Sequence, residues 1–356
     1  MNLKISKNNL LTFLFYELIL VILILLTKEC LDDKNYRLFL ELSSFDRITY
    51  NPITIIYYIF SNIFPNSYIA LTFLSISIGS LYNFSVFLFI KKFRTDFYKL
   101  SFLYLIPLFL CPVLIHFYSC TIKQGFATVL LSSSLLLYFS LDNKSKNKYK
   151  SYLIIIFMLL FSIITHWSTT LLLIFWGLSF LGLNFLIIFK NLLFKLDAFK
   201  TLIIQIKTRF RILDLFLILF VLIIPIVIYA TFLDQQLEIQ TKFLSYLIGE
   251  ESINQNYGTR YPILSIPPSL FAFIKIRKYK NSILNTLSIS SIFSGIIGFI
   301  FIKGPFVRIV IANSFFSFLA LGIAMIKDKR KFKNDFMLFL TLNAPSIIYT
   351  FKNLNL

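Results

Sequence analysis

Apolar stretches near the length of a membrane span recur from one end of this chain to the other, divided by short loops rich in Lys and Arg. Nothing else in the sequence limits its fold as severely. About 20 consecutive apolar residues, rising 1.5 Å each, make a helix that crosses the ~30 Å hydrocarbon core of a bilayer. Backbone N–H and C=O groups find no water there, so only helices and closed barrels can span. Of the 356 residues, 58% are hydrophobic and 14% charged. A soluble domain carries ~45–50% apolar and ~25% charged residues, interleaved at helical or strand period. The expectation is an all-α, polytopic integral membrane bundle.

The first apolar run, Leu10 to Thr27, follows Lys4 and Lys7 and is too long for a signal-peptide core. It reads as a retained span, with Glu17 near its middle, where a carboxyl is costly and is either functional or paired within the bundle. Pro52–Phe64 is apolar but short, and reads as an interfacial or re-entrant helix. Further spans are expected near 67–90, 100–117, 121–141, 151–165, 168–189, 212–232, 261–275, 283–302, 305–326 and 335–351. Pro267-Pro268 should break or kink the one at 261–275. The total is about 11 transmembrane helices plus the short helix, in a single transmembrane domain over 1–356. Loops 28–66 and 233–260 lie on the outer face, and the basic loop 190–211 lies in the cytoplasm as an in-plane helix. Leu237, Phe243, Leu244 and Leu247 suggest an amphipathic helix on the outer surface.

Loop charge orients the chain. Segments 1–9, 91–99, 142–150, 190–214, 275–281 and 327–335 hold 25 of the 35 Lys and Arg, so they are assigned to the cytoplasm. The same rule accounts for the net charge of +19 without nucleic acid. Cys30, Cys111 and Cys120 have no metal-ligand spacing, and neither a metal nor a cofactor is expected.

The stretch Ser162 to Thr170 then stands out, because His166, Trp167 and five hydroxyls interrupt two apolar runs. Unpaired polar groups in hydrocarbon cost several kcal/mol, on the order of 2–7 each, so water or a polar ligand must reach it. In the orientation set by charge, His166 is at an outer turn, and Asp32, Asp33, His116, Lys123, Arg260 and Arg308 fall on the same face. Lys123 and Arg308 are either snorkelling helix ends or ligands, and Asp32 and Asp33 either solvated loop charges or part of a site. Cations just inside the membrane, on the side poorer in Lys and Arg, suit an anionic headgroup such as a phosphate or diphosphate.

The order of these pieces resembles the EpsG/Wzy-type polysaccharide polymerases. Asp32-x-x-x-Tyr36 followed by a short helix after Asn51-Pro52 looks like the start of that family. Ile122-Lys123-Gln124-Gly125-Phe126-Ala127 is similar to its Arg-Gln-x-x-Ala helix start, with Lys123 replacing Arg and so without the bidentate fork. His166-Trp167-Ser168 resembles its His-x-Ser turn, and Tyr257 to Arg260 and Arg308 fall where it has a later outer loop and an Arg-containing span.

That resemblance implies an architecture like the polytopic lipid-sugar glycosyltransferases (GT-C-like). It also implies a bacterial inner-membrane enzyme that polymerises oligosaccharide units carried on undecaprenyl diphosphate, working beside a chain-length regulator and a flippase. Asp32, Asp33 and His166 would be the candidate bases. Lys123, Gln124, Arg260 and Arg308 would hold the diphosphate, with Tyr36, Ser168 and Tyr257 also contacting substrate. Alternatives are an O-antigen ligase-like transferase and a flippase or transporter of lipid-linked sugars. A membrane O-acyltransferase would need its base on the cytoplasmic face, opposite to His166.

Overall fold

The computed structural model describes residues 7–26, 37–38, 40–41, 52–93, 108–109, 121–141, 148–166, 169, 172–173, 176–179, 182, 260–276, 282–300, 313, 315–317, 319–324 and 326. Every regular element among them is helical. The chain forms two compact units: Met1–Thr169 with Gly322–Leu356, and Thr170–Leu321.

The described helices of the first unit include α1 (Lys7–Leu26), α2 (Pro52–Ile63), α3 (Ser67–Phe93), α4 (Ile122–Ser140) and α5 (Lys148–Thr165). In α1, Asn9, Tyr16, Leu20 and Ile24 are buried at helical spacing, forming one narrow stripe. Leu11, Leu14, Leu18 and Leu25 are exposed on its other side, where lipid tails would solvate them. Asn66 starts α3 by accepting the backbone N–H of Tyr68 at 2.8 Å and of Ile69 at 3.3 Å, an N-cap that satisfies two orphan donors. Lys91 and Lys92 occupy its last turn, where the helix dipole favours cations. Along α3, Thr72, Ser77 and Ser85 each donate to the carbonyl four residues earlier, so these three hydroxyls do not face hydrocarbon bare.

Side-chain contacts give the helix directions. Phe13 packs on Phe87 with ring centroids 4.9 Å apart, and Glu17 meets Ser80, so α1 and α3 run antiparallel. Lys92 Nζ donates to the Ser140 carbonyl, which brings the C-terminal ends of α3 and α4 together. Ser162 Oγ donates to the Ala127 carbonyl at 2.6 Å, so α5 returns antiparallel along α4. Gly125 and Ala127 are buried and small, and let the two backbones approach closely. One end of this unit therefore carries Lys7, Lys91, Lys92, Lys148 and Lys150. The other carries the start of α3, the start of α4 and the end of α5. The 12-residue α2 packs on α3 and α5, and Phe64 just beyond it stacks on Phe73 at 4.7 Å.

The second unit contains α6 (Arg260–Ile276) and α7 (Ser282–Ile300), joined by a short connection into an antiparallel hairpin. The helix α6 continues through Pro267-Pro268, so the break expected there does not occur. A chain of hydroxyls joins its elements: Ser317 Oγ donates to Ser269 Oγ at 3.2 Å, which pairs with Ser291 Oγ at 2.7 Å. Trp176 Nε1 donates to Asn313 Oδ1 at 3.0 Å, and its ring meets Phe316 edge-on at 4.4 Å. In a bilayer, such polar contacts replace the hydrophobic drive that holds soluble helices together.

The expected count of about 11 spans is overturned. Among the described residues, three helices are long and apolar enough to cross a membrane: Lys7–Leu26, Ser67–Lys92 and Ile122–Ser140. Hydropathy windows register apolar residues wherever they fall, but crossing needs them in one unbroken helix. Within the described residues, the apolar stretches Tyr149–Thr165, Ile53–Ile63 and Leu284–Ile296 run to 17 residues or fewer. The GT-C-like bundle of about 11 spans that the resemblance implied is overturned with that count. The expected spans near 212–232 and 335–351 lie outside the described residues, as do most of 100–117 and 168–189 and half of 305–326. The in-plane helix at 190–211 and the amphipathic helix around Leu237–Leu247 also lie outside them. The three long apolar helices make this a membrane protein.

Candidate functional site

The candidate site is the end of the first unit opposite its lysines, where α4 begins and α5 ends. Gly125 donates the first helical hydrogen bond of α4, to Thr121 O at 2.7 Å. The N–H groups of Ile122, Lys123 and Gln124 precede that bond and have no carbonyl in the helix to reach. Thr121, at the N-cap, places no side-chain oxygen on them. A helix start of this kind is a partial positive charge with several donors aimed along its axis.

Lys123 and Gln124 add to it. A cation in the first turn opposes the helix dipole, and Lys123 is half-buried there. Gln124 is 2% exposed, and among the described residues neither its Oε1 nor its Nε2 has a hydrogen-bond partner. An unsatisfied buried amide costs about 1–3 kcal/mol. Two unfavourable features in adjacent residues are relieved together by one anion with oxygen acceptors.

The Ser162–Ala127 bond brings His166 to this end. Ala127 is one helical turn after Lys123, and Ser162 is one turn before His166. His166 N–H closes the last turn of α5 on Ser162 O at 3.2 Å, and His166 O accepts Thr169 N–H at 3.0 Å. Its half-exposed ring thus sits on a rigid helix end, beside buried Thr165. Glu41 joins the same end by accepting Ser67 Oγ at 2.7 Å, at the start of α3.

Of the residues expected from sequence, Lys123, Gln124 and His166 are brought to one end of one unit. Arg260 opens α6 in the second unit, and its side chain lies outside the described residues. Asp32, Asp33, Tyr36, Ser168, Tyr257 and Arg308 also lie outside them, as does Trp167. Among the described residues, no three of His, Cys, Asp and Glu gather into a metal-binding group.

Sequence reasoning missed how much of α4 is both polar and buried: Gln124, Thr128 and Ser132 lie along one stripe, and Ser133 and Ser134 lie to either side of it. A signal for it was present, because the run Ser132-Ser133-Ser134 interrupts an otherwise apolar segment. No family model matches the chain, and no curated protein or solved structure is similar to it.

Proposed function

We propose that this protein lengthens a surface polysaccharide by joining oligosaccharide units carried on undecaprenyl diphosphate, at the outer face of a bacterial inner membrane. The observation that carries the reading is the start of α4, where helix N–H groups, Lys123 and the unpartnered Gln124 amide converge in a buried position. That arrangement suits a diphosphate, which offers several anionic oxygens at once. The lipid tail of such a substrate would lie in the bilayer that the long apolar helices occupy.

The chemistry assigns roles to the remaining residues. An acceptor sugar hydroxyl attacks the anomeric carbon of the donor, and the bond from that carbon to the diphosphate oxygen breaks. The lipid diphosphate leaves with the electron pair, and a base takes the hydroxyl proton. His166 is one candidate base, and Asp32 or Asp33 the other. Lys123 and Gln124 stabilise the charge developing on the leaving group. Tyr36 and Ser168 contact the sugars.

The test is made in vesicles holding the purified protein and a lipid-linked repeat unit, without ATP or nucleotide sugar. Wild type lengthens the lipid-linked chain. Lys123→Ala slows elongation by about 10²–10³-fold, as expected for loss of one preorganised charge. His166→Ala or Asp32→Asn slows it by ~10²–10⁴-fold, the range for a missing general base. A wild-type protein that moves the units between leaflets and never lengthens them is a carrier, and the reading falls.

A further inference from the structure

Glu17 belongs to none of this chemistry, and its surroundings are unusual. It is the eleventh residue of the 20-residue α1, so it lies about 15 Å from either helix end, at mid-depth in a span. Its Oε2 accepts Ser80 Oγ at 2.8 Å across the α1–α3 interface. Its Oε1 is buried and has no hydrogen-bond partner among the described residues. Asn83, one turn beyond Ser80 on α3, is fully buried, interacts with the same carboxyl, and leaves both its amide atoms without a hydrogen bond.

We propose that Glu17 is a proton-binding site in the middle of the membrane, with Asn83 arranged to serve both of its protonation states. When the carboxyl holds the proton, Oε1–H donates to Asn83 Oδ1. When the proton has gone to water, a half-turn of the amide lets Asn83 Nδ2–H donate to the carboxylate. Ser80 donates to Oε2 in both states. In each state both carboxyl oxygens thus have a partner, and exchange needs one side-chain rotation.

Other occupants fit less well. No cation faces Glu17 from the helix packed on α1: Lys91 of α3 is eight residues beyond Asn83, about 12 Å along the axis. Leu108 and Phe109 are apolar, and Phe109 stacks on neighbouring Tyr16 at 4.6 Å. A metal cation stripped of its water takes about six or more oxygens. Glu17, Ser80 and Asn83 supply four, and both helices are unbroken here, so no backbone carbonyl is released to complete a cage.

A carbodiimide that partitions into lipid reports this site, because it reacts with protonated carboxyls in apolar surroundings. Membranes containing the full chain are treated with dicyclohexylcarbodiimide over a pH series, and the modified peptide is identified by mass spectrometry. Glu17 is modified in wild type, less so as the pH rises, and sodium at fixed pH has no effect. Glu17→Gln removes the modification. Asn83→Leu deprives the ionised form of its donor and the protonated form of a weaker neutral bond, so half-modification moves up by about one pH unit, the roughly tenfold difference between the two bonds. Absence of modification in folded wild type, protection by sodium, or an unmoved profile in Asn83→Leu overturns the proposal.

Discussion

The helices α1 and α4 differ by one residue in length, and both are long enough to cross a bilayer, but they meet opposite surroundings. The mean hydropathy of α1 is 2.5, and 22% of its apolar window is buried in protein. For α4 the values are 1.3 and 72%. The more apolar helix is the one left to the lipid. The less apolar helix lies inside the bundle, where Gln124, Thr128 and three consecutive serines are sheltered. Lipid tails solvate Leu as well as another Leu does, so apolar surface gives a helix no reason to seek protein neighbours. Polar and small residues do, since only other helices can partner them. Burial in this protein follows polarity, the reverse of a soluble core.

Substitutions on the two helices sharpen the contrast. The largest effect is expected at Gln124. Replacing it with Leu removes two buried atoms that lack partners, so the detergent-solubilised protein should gain about 1–3 kcal/mol in thermal or denaturant unfolding. The same change should abolish chain elongation, separating stability from activity. A Gln124→Leu protein that is less stable and fully active would show that the amide is a packing group. Next comes the α4–α5 clasp. Ser162→Ala loses one interhelical hydrogen bond, worth about 0.6–2 kcal/mol in membrane bundles, and should lower stability by that amount. The smallest effect belongs to the lipid face of α1: Leu18→Ala, at a position 58% exposed, should change stability by about 0.5 kcal/mol or less. A cost near that of a core truncation would mean that this face is covered by protein.

Local features were legible from residue order. The first apolar run was expected over 10–27, and α1 covers Lys7–Leu26; the short helix after Asn51 was expected over 52–64, and α2 covers Pro52–Ile63. Pro65 and Asn66 mark the start of α3 because a proline cannot continue a helix and an Asn side chain can cap one. The number of spans was not legible. Apolar content accumulates in windows, whereas crossing depends on how many residues one helix keeps, and that depends on neighbours. The pairing of Glu17 with Ser80 and Asn83 joins residues more than sixty positions apart, and nothing in their local order connects them.

By itself, the sequence determined that this is a helical membrane protein. Its apolar residues come in blocks too long and too dense for water, and a chain in lipid must satisfy its own backbone. Loop charge likewise determined which ends are basic. The tertiary structure decided which polar groups share a place: the Lys92–Ser140 and Ser162–Ala127 contacts set the helix directions and bring Lys123, Gln124 and His166 to one end. It also decided which polar groups are satisfied. A hydroxyl or amide reads the same in a sequence whether it faces a carbonyl or nothing, and only the packed helices distinguish Ser162, which is bonded, from Gln124, which is not.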